Sequence, residues 1–348
     1  MAKLIYDFRS DNVSGIIPEV LQSIIQENQR STDTSYGDDE VTQKLQGQLA
    51  DFFNHEVLVF PVISGTAANA LALANLTPPY GAIYCHEQAH IHMDECGAPE
   101  FLTGGAKLVL LPGNNGKFGA EILNNSLKNA GKGVKHHVQP AAVSVTQATE
   151  AGTVYTPAEI TAIAKLTQEH GLSLHMDGSR FANALAYLQC SPADMTWKAG
   201  VDVLSLGTTK AGVMGAEAIV FFKKDLAKGF EYRLKRSGHI ISKMRFLSCQ
   251  LQTYWQKGVW DKYAGHANQM AKLLAVGLQK NPSVKRMYHV EANEVFVWMP
   301  KALLDHLQAQ GAKFYDWQKD DKGAVIRLVT SFATTKKMVE GFLGLINS

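Results

Sequence analysis

The sequence predicts an α/β fold: a large domain with a mostly parallel, seven-stranded-type sheet flanked by helices, plus a smaller α+β domain at the C-terminus. Three observations predict it. From about residue 55, short apolar runs alternate with helix-length amphipathic stretches, the rhythm of strand–helix–strand units. The runs are near-continuously apolar, as strands covered on both faces must be. After about residue 250 the texture changes to mixed strands and helices without that regular alternation.

Taken in order, VLVFPVI (57–63) reads as a buried strand and TAANALALANL (66–76) as the helix after it. AIYC, KLVLLP, HVQPAAVSVTQ, LSLHMD, VDVLSLG and EAIVFF follow as strands. Between them, PAEITAIAKLTQEHG (157–171) carries Thr156 as N-cap, Pro157 in the first turn and Gly171 as stop, the chemistry of a well-bounded helix. Long amphipathic patterns over 225–270 bridge to the smaller domain, where EVFVWMP, KALLDHLQAQG, KFYDWQ, AVIRLVTS and TKKMVEGFLGLI alternate strand and helix signals. The expected division is 1–250, including an N-terminal arm 1–50, and 251–348.

Composition excludes several classes. A 46% hydrophobic and 19% charged chain folds rather than staying disordered, and scattered cations with a net charge of +2 indicate no nucleic-acid or membrane surface. The one basic stretch, KNAGKGVKHH (128–137), reads as a Gly-rich solvated loop, with an anion patch as the alternative. No apolar leader follows MAKLIYDFRSD, and Cys85, Cys96, Cys190 and Cys249 lack paired metal-finger spacing. A cytoplasmic, thiol-reduced setting is expected.

Three short segments carry chemistry. SGTAAN (64–69) stands where a strand meets a helix; small residues and free helix N-terminal amides there can hold a phosphate through Gly65 and Thr66, or merely turn the chain. In LSLHMDGSR (172–180), Asp177 stands at a strand end, where open α/β sheets bind ligands. It suits either a protonated pyridine nitrogen or a helix cap; Arg180 follows and can reach a ring oxygen or a carboxylate. In the segment 200–222, Lys210 is the one lysine among apolar and small residues. Desolvation favours the neutral amine that forms a Schiff base, whereas a solvated turn is the plain alternative. A phosphate turn, an acid and a lysine, in that order on an α/β pattern, point jointly to pyridoxal phosphate.

With these in place, the chain resembles the threonine aldolase family, specifically its low-specificity L-threonine aldolase branch on the aspartate-aminotransferase-type fold. DFRSDN, YGDD, SGTAAN, AHIHMDECGAPEF, TQATEAGTVY, LHMDGSRFANA, GTTKAG, KMRFLS and IRLVTS occur in the family's order, nearly end to end. The resemblance implies aldol cleavage of L-threonine, L-allo-threonine and related β-hydroxy-α-amino acids to glycine and an aldehyde. It implies that Lys210 forms the Schiff base, Asp177 meets the pyridine nitrogen and His90 stacks on the ring. Gly65, Thr66 and Thr209 would hold the phosphate. Ser10, Arg180 and Arg327, with Tyr36 of YGDD nearby, would receive the substrate. Lys235 and Arg245 resemble residues that reach the cofactor from a neighbouring subunit, so a homo-oligomer built as a dimer of dimers is expected.

One departure stands out. Where many relatives carry Glu-Asn-Thr-His, this chain reads Gln147-Ala148-Thr149-Glu150, so a histidine near the substrate is missing. His90 then becomes the expected acceptor of the β-hydroxyl proton, directly or through water, with Asp94 one helical turn on to position the hydroxyl. His86-Glu87-x-x-His90 also matches a zinc-hydrolase motif, but it follows a strand directly and Pro99 limits any helix; His92 reads as a packing or surface residue. Another pyridoxal-phosphate lyase or an aminotransferase is the nearer alternative.

Overall fold

The computed structural model describes residues 5–30 and 32–347. The large sheet is formed by β1 (Leu58–Val62), β2 (Gly81–His86), β3 (Lys107–Leu111), β4 (Gln139–Thr146), β5 (Ser173–Gly178), β6 (Val203–Leu206) and β7 (Glu217–Phe221). Their order is β1-β7-β6-β5-β4-β2-β3. The β2–β3, β2–β4, β4–β5 and β5–β6 pairs are parallel, while β7 runs antiparallel to both neighbours. Strands β2, β6 and β7 are buried along their whole length, which is why their sequences show no polar alternation.

Local chemistry explains the helices. Gly65–Leu76 follows β1 at once, capped by the Ser64 hydroxyl, which accepts from the Ala67 amide at 3.2 Å. Its residues 67–74 are buried all round, so it is a core helix rather than an amphipathic one. Pro157–His170 has the expected cap at Thr156, closed into a reciprocal box with Glu159, and ends at Gly171 with a φ of 68°. The 128–137 loop is largely exposed, and Lys132 donates to the His170 carbonyl at 2.6 Å.

The smaller sheet comprises β8 (Lys285–Arg286), β9 (Glu294–Pro300), β10 (Tyr315–Lys319) and β11 (Gly323–Val329), in the order β10-β11-β9-β8 and all antiparallel. Helices Trp260–Leu278, Lys301–Ala309 and Lys336–Ile346 contribute to its apolar core. The N-terminal segment joins that core from the other end of the chain. The Phe8 amide donates to the Lys313 carbonyl, the Val329 amide donates to the Phe8 carbonyl, and the Phe8 ring lies 5.0 Å from that of Phe342. Among the described residues, no helix is long and apolar enough to cross a membrane.

Candidate active site

The loops leaving β1, β2, β5 and β6 converge at the carboxyl edge of the large sheet, where the antiparallel β7 begins. They enclose a cavity of about 230 Å³ lined by Gly65, Thr66, Asn69, His90, Glu95, Asp177, Thr209, Lys210 and Glu217, among others. Open α/β sheets bind ligands at this edge, because helix N-termini and loop residues face one crevice there. Gly65, Thr66, His90, Asp177, Thr209 and Lys210, separated by up to 145 positions in the sequence (210 minus 65), are thus brought together. The Gly65 and Thr66 amides make no hydrogen bond among the described residues, and a Cβ on Gly65 would meet nothing within 4 Å. That corner is open to an anion.

Asp177 is 2% exposed and sits on β5. Its Oδ1 accepts from the Ser179 amide at 2.9 Å and its Oδ2 from the Asn69 side chain at 2.8 Å. Burial alone would raise its pKa, but the charges of His90 and Lys210 and these hydrogen bonds hold it below the usual value. The same Asn69 nitrogen donates to Glu95 Oε1 at 2.8 Å, and that oxygen lies 2.9 Å from His90 Nδ1. The Glu95 hydrogen bond raises the imidazole pKa against the opposing effects of burial and Lys210. Burial raises Glu95 as well.

The acid that reaches His90 is therefore Glu95, not Asp94. The helix His90–Met93 is only one turn long; Asp94 follows it, exposed and outside the cavity, while Glu95 turns inward. Glu150 comes to the same helix from the loop after β4. Its Oε1 accepts from the His90 amide at 2.8 Å, and burial, then Asp177, push its carboxyl up to about 7. His86 ends β2 whereas His90 begins a helix, so the two do not share the helical face that a zinc motif requires. His92 is exposed.

Lys210 lies on a single 3-10 turn, Thr209–Ala211, in the loop between β6 and β7. Its amine makes no hydrogen bond or ion pair among the described residues. The loop is gripped by Glu217, the first residue of β7, which accepts from the Thr208 and Thr209 amides at 2.7 and 3.3 Å. The sequence shows Glu217 only as the start of an apolar strand, and Asn69 and Glu95 only as helix and loop residues; nothing in the local pattern singles them out.

The expected substrate-receiving residues form a second cluster. Arg180, 7% exposed, donates through Nε and Nη2 to Asp11 at 2.9 and 3.2 Å and pairs through Nη1 with Glu294 at 3.1 Å. Burial opposes its charge, but Asp11 and Glu294 outweigh it and raise the pKa. The guanidinium is thus committed to protein carboxylates. Arg327 lies 3.7 Å from the other Glu294 oxygen and stacks over Trp317 and Tyr315 at 5.2 and 5.8 Å. Ser10 caps the short turn Asp11–Val13, accepting from the Asn12 amide at 3.2 Å. Tyr36, Lys235 and Arg245 are not in the cavity. Lys235 stacks on the exposed Tyr36 ring at 4.5 Å, and Arg245 pairs with Glu27 at 3.3 Å.

This site and fold define a class. The sequence profile of the family described as beta-eliminating lyase matches residues 7–302, and the chain belongs to that family. Within it, the chain is 46% identical over 309 residues to the low specificity L-threonine aldolase of Pseudomonas aeruginosa, and 44% identical over 309 residues to that of a Pseudomonas species, covering 88% of each chain in both cases. Among solved structures, the threonine aldolase of Leishmania major superposes with a TM-score of 0.92 at 26% identity, covering 98% of both chains.

Proposed function

We propose that this chain is a pyridoxal-phosphate-dependent threonine aldolase, cleaving the Cα–Cβ bond of L-threonine, L-allo-threonine and related β-hydroxy-α-amino acids to glycine and an aldehyde. The observation that carries it is the joint lining of one cavity by an uncommitted lysine amine, a buried ionised carboxylate and an open helix N-terminus. These suit, respectively, the carbonyl, the protonated ring nitrogen and the phosphate of that cofactor. When bound, it supplies a sink for the electron pair released by bond cleavage.

The protein's own residues do the rest. Lys210 holds the cofactor, while Gly65 and Thr66, with Thr209 on the opposite loop, hold its phosphate. Asp177, held ionised, would meet the ring nitrogen and favour its protonated form. His90 directs Nδ1–H at Glu95, which leaves Nε2 to accept the β-hydroxyl proton, and Glu150 fixes the His90 backbone. Arg327, with Ser10, receives the substrate carboxylate; Arg180 holds the frame on which Arg327 rests. Lys235 and Arg245 serve the cofactor region of a neighbouring subunit in a homo-oligomer, and Tyr36, under the Lys235 amine, meets the substrate there. The units 1–250 and 251–348, with the segment around Phe8 packed on the second, and a cytoplasmic setting belong to the same proposal.

The test is product analysis. Purified protein incubated with L-threonine, L-allo-threonine and phenylserine should release glycine with acetaldehyde or benzaldehyde. Ammonia with a keto acid, or amino-group transfer to an added keto acid, would replace this reading with elimination or transamination.

A further inference from the structure

We propose that Glu217 is a positioning residue for Lys210: through the two amides that precede the lysine, its carboxylate sets where the Lys210 amine stands in the cavity. The proposal rests on Lys210 being the lysine that binds the cofactor. Loop 207–216 joins antiparallel strands, with Leu206 paired to Ala218 and Val203 to Phe221. A loop of this length has many conformations, and a catalytic amine on it needs a restraint.

Glu217 supplies that restraint from a rigid strand. It is 5% exposed, faces the cavity and accepts from Thr208 N at 2.7 Å and Thr209 N at 3.3 Å, one amide to each carboxylate oxygen. The Thr208 hydroxyl donates to the Ala216 carbonyl, closing the loop onto the residue before Glu217. The Ala211 and Gly212 amides donate back to the Thr208 and Thr209 carbonyls at 2.9 and 3.2 Å. Lys210 is thus preceded by two residues whose amides and carbonyls are all engaged.

A carboxylate fits this task better than neutral side chains do. Both amides need an acceptor, and an ionised carboxylate is acceptor-only at both oxygens, whereas Gln has one acceptor and one donating NH₂. Burial pushes the Glu217 carboxyl up to about 7, against the opposing pull of Thr209, Thr208 and the Lys210 charge, so the acceptor-only form dominates above that pH. A chain gains little stability from burying an acid in this way; holding a loop is a sufficient reason for it to be there.

The experiment compares Glu217→Gln and Glu217→Ala with the parent protein, full length and loaded with pyridoxal phosphate. Three quantities are read: the visible circular dichroism of the bound cofactor, its rate of return to stripped protein, and the split of kcat from KM for L-threonine. Glu217→Gln should weaken the dichroism at least twofold, slow cofactor return and lower kcat about tenfold, the size of one lost charge-assisted hydrogen bond. KM should stay within about twofold, because the carboxylate-receiving groups are elsewhere. Dichroism and kcat within twofold of the parent in Glu217→Gln overturn the proposal even if the melting temperature falls. Should Glu217→Ala fail to fold, the near-isosteric Gln variant decides. Lys210→Ala separates the two readings. A retained cofactor band there removes the premise; a lost band with a parent-like Glu217→Gln removes the positioning role alone.

Discussion

Two buried polar clusters lie on either side of Lys210's reach and are built on opposite electrostatic plans. Around Asp177, two carboxylates share one amide donor, Asn69, and one of them pairs with an imidazole. Around Arg180, two guanidiniums alternate with two carboxylates: Asp11, Arg180, Glu294 and Arg327. The first cluster is built on a histidine and two carboxylates, groups that titrate within the ordinary pH range, with His90 and Glu95 shifted upward and Asp177 downward by their surroundings. The second contains arginines, which do not titrate in that range. On the proposed function the difference divides the labour: chemistry at the sheet edge, and geometry in the ion-paired ladder that ties the N-terminal segment and β9 to the large sheet.

The sharpest way to break that division is at the lysine. Lys210→Ala should abolish the visible cofactor band and lower turnover at least about a thousandfold, as removal of a nucleophile does. Turnover near the parent value would place the chemistry elsewhere.

Next comes the ladder. Arg180→Ala leaves Asp11 and Glu294 buried without their main counter-ion, and removing one partner of a buried pair costs about 3–5 kcal/mol. Denaturant unfolding of the cofactor-free protein should report a loss of that size. A loss below about 1 kcal/mol, the range of surface pairs, would mean the ladder is not structural.

A pH profile sharpens the first cluster. His90 accepts a proton only when neutral, so activity should fall as pH drops through its raised pKa. Glu95→Gln removes the anion that raises it, leaving burial and Lys210 to lower it and Asp177 to support it. The acid limb of kcat/KM should therefore move to lower pH, with a smaller kcat on the plateau. An unmoved limb would detach Glu95 from the proton step.

The smallest expected effect is at Arg327, which stands between the two clusters' roles. Arg327→Lys keeps the charge but loses the planar fork. KM for L-threonine should rise about tenfold, the loss of one of two paired hydrogen bonds, with the cofactor spectrum unchanged. An unchanged KM would leave Arg327 with a purely structural partner in Glu294.

Local pattern was enough for much of this protein. Strand positions, the Thr156 cap and the Gly171 stop follow from residue chemistry within a few positions, and so were legible without a fold. Asp177, Lys210 and the Gly65–Thr66 turn were placed at one edge for a related reason: Asp177 lies near the end of β5 and the other two lie in the segments that follow β6 and β1, and the sheet edge brings these segments together. Asp94 was misjudged because helical spacing was extended beyond a helix that closes after one turn. Whether a helix continues there depends on packing against neighbouring elements, which no local spacing encodes.

What the sequence by itself determined is the list of elements and the chemical types offered at their ends, since both arise from short-range backbone and side-chain preferences. The tertiary structure alone decided which charges meet. Arg180 is 169 positions from Asp11, and Asn69 is 108 from Asp177, so each pairing exists only after the chain has closed over it. Burial then converts those meetings into function. In a low-dielectric interior the same residue types become an ionised Asp177, a Glu150 and a Glu217 near 7, and an arginine paired with two buried carboxylates.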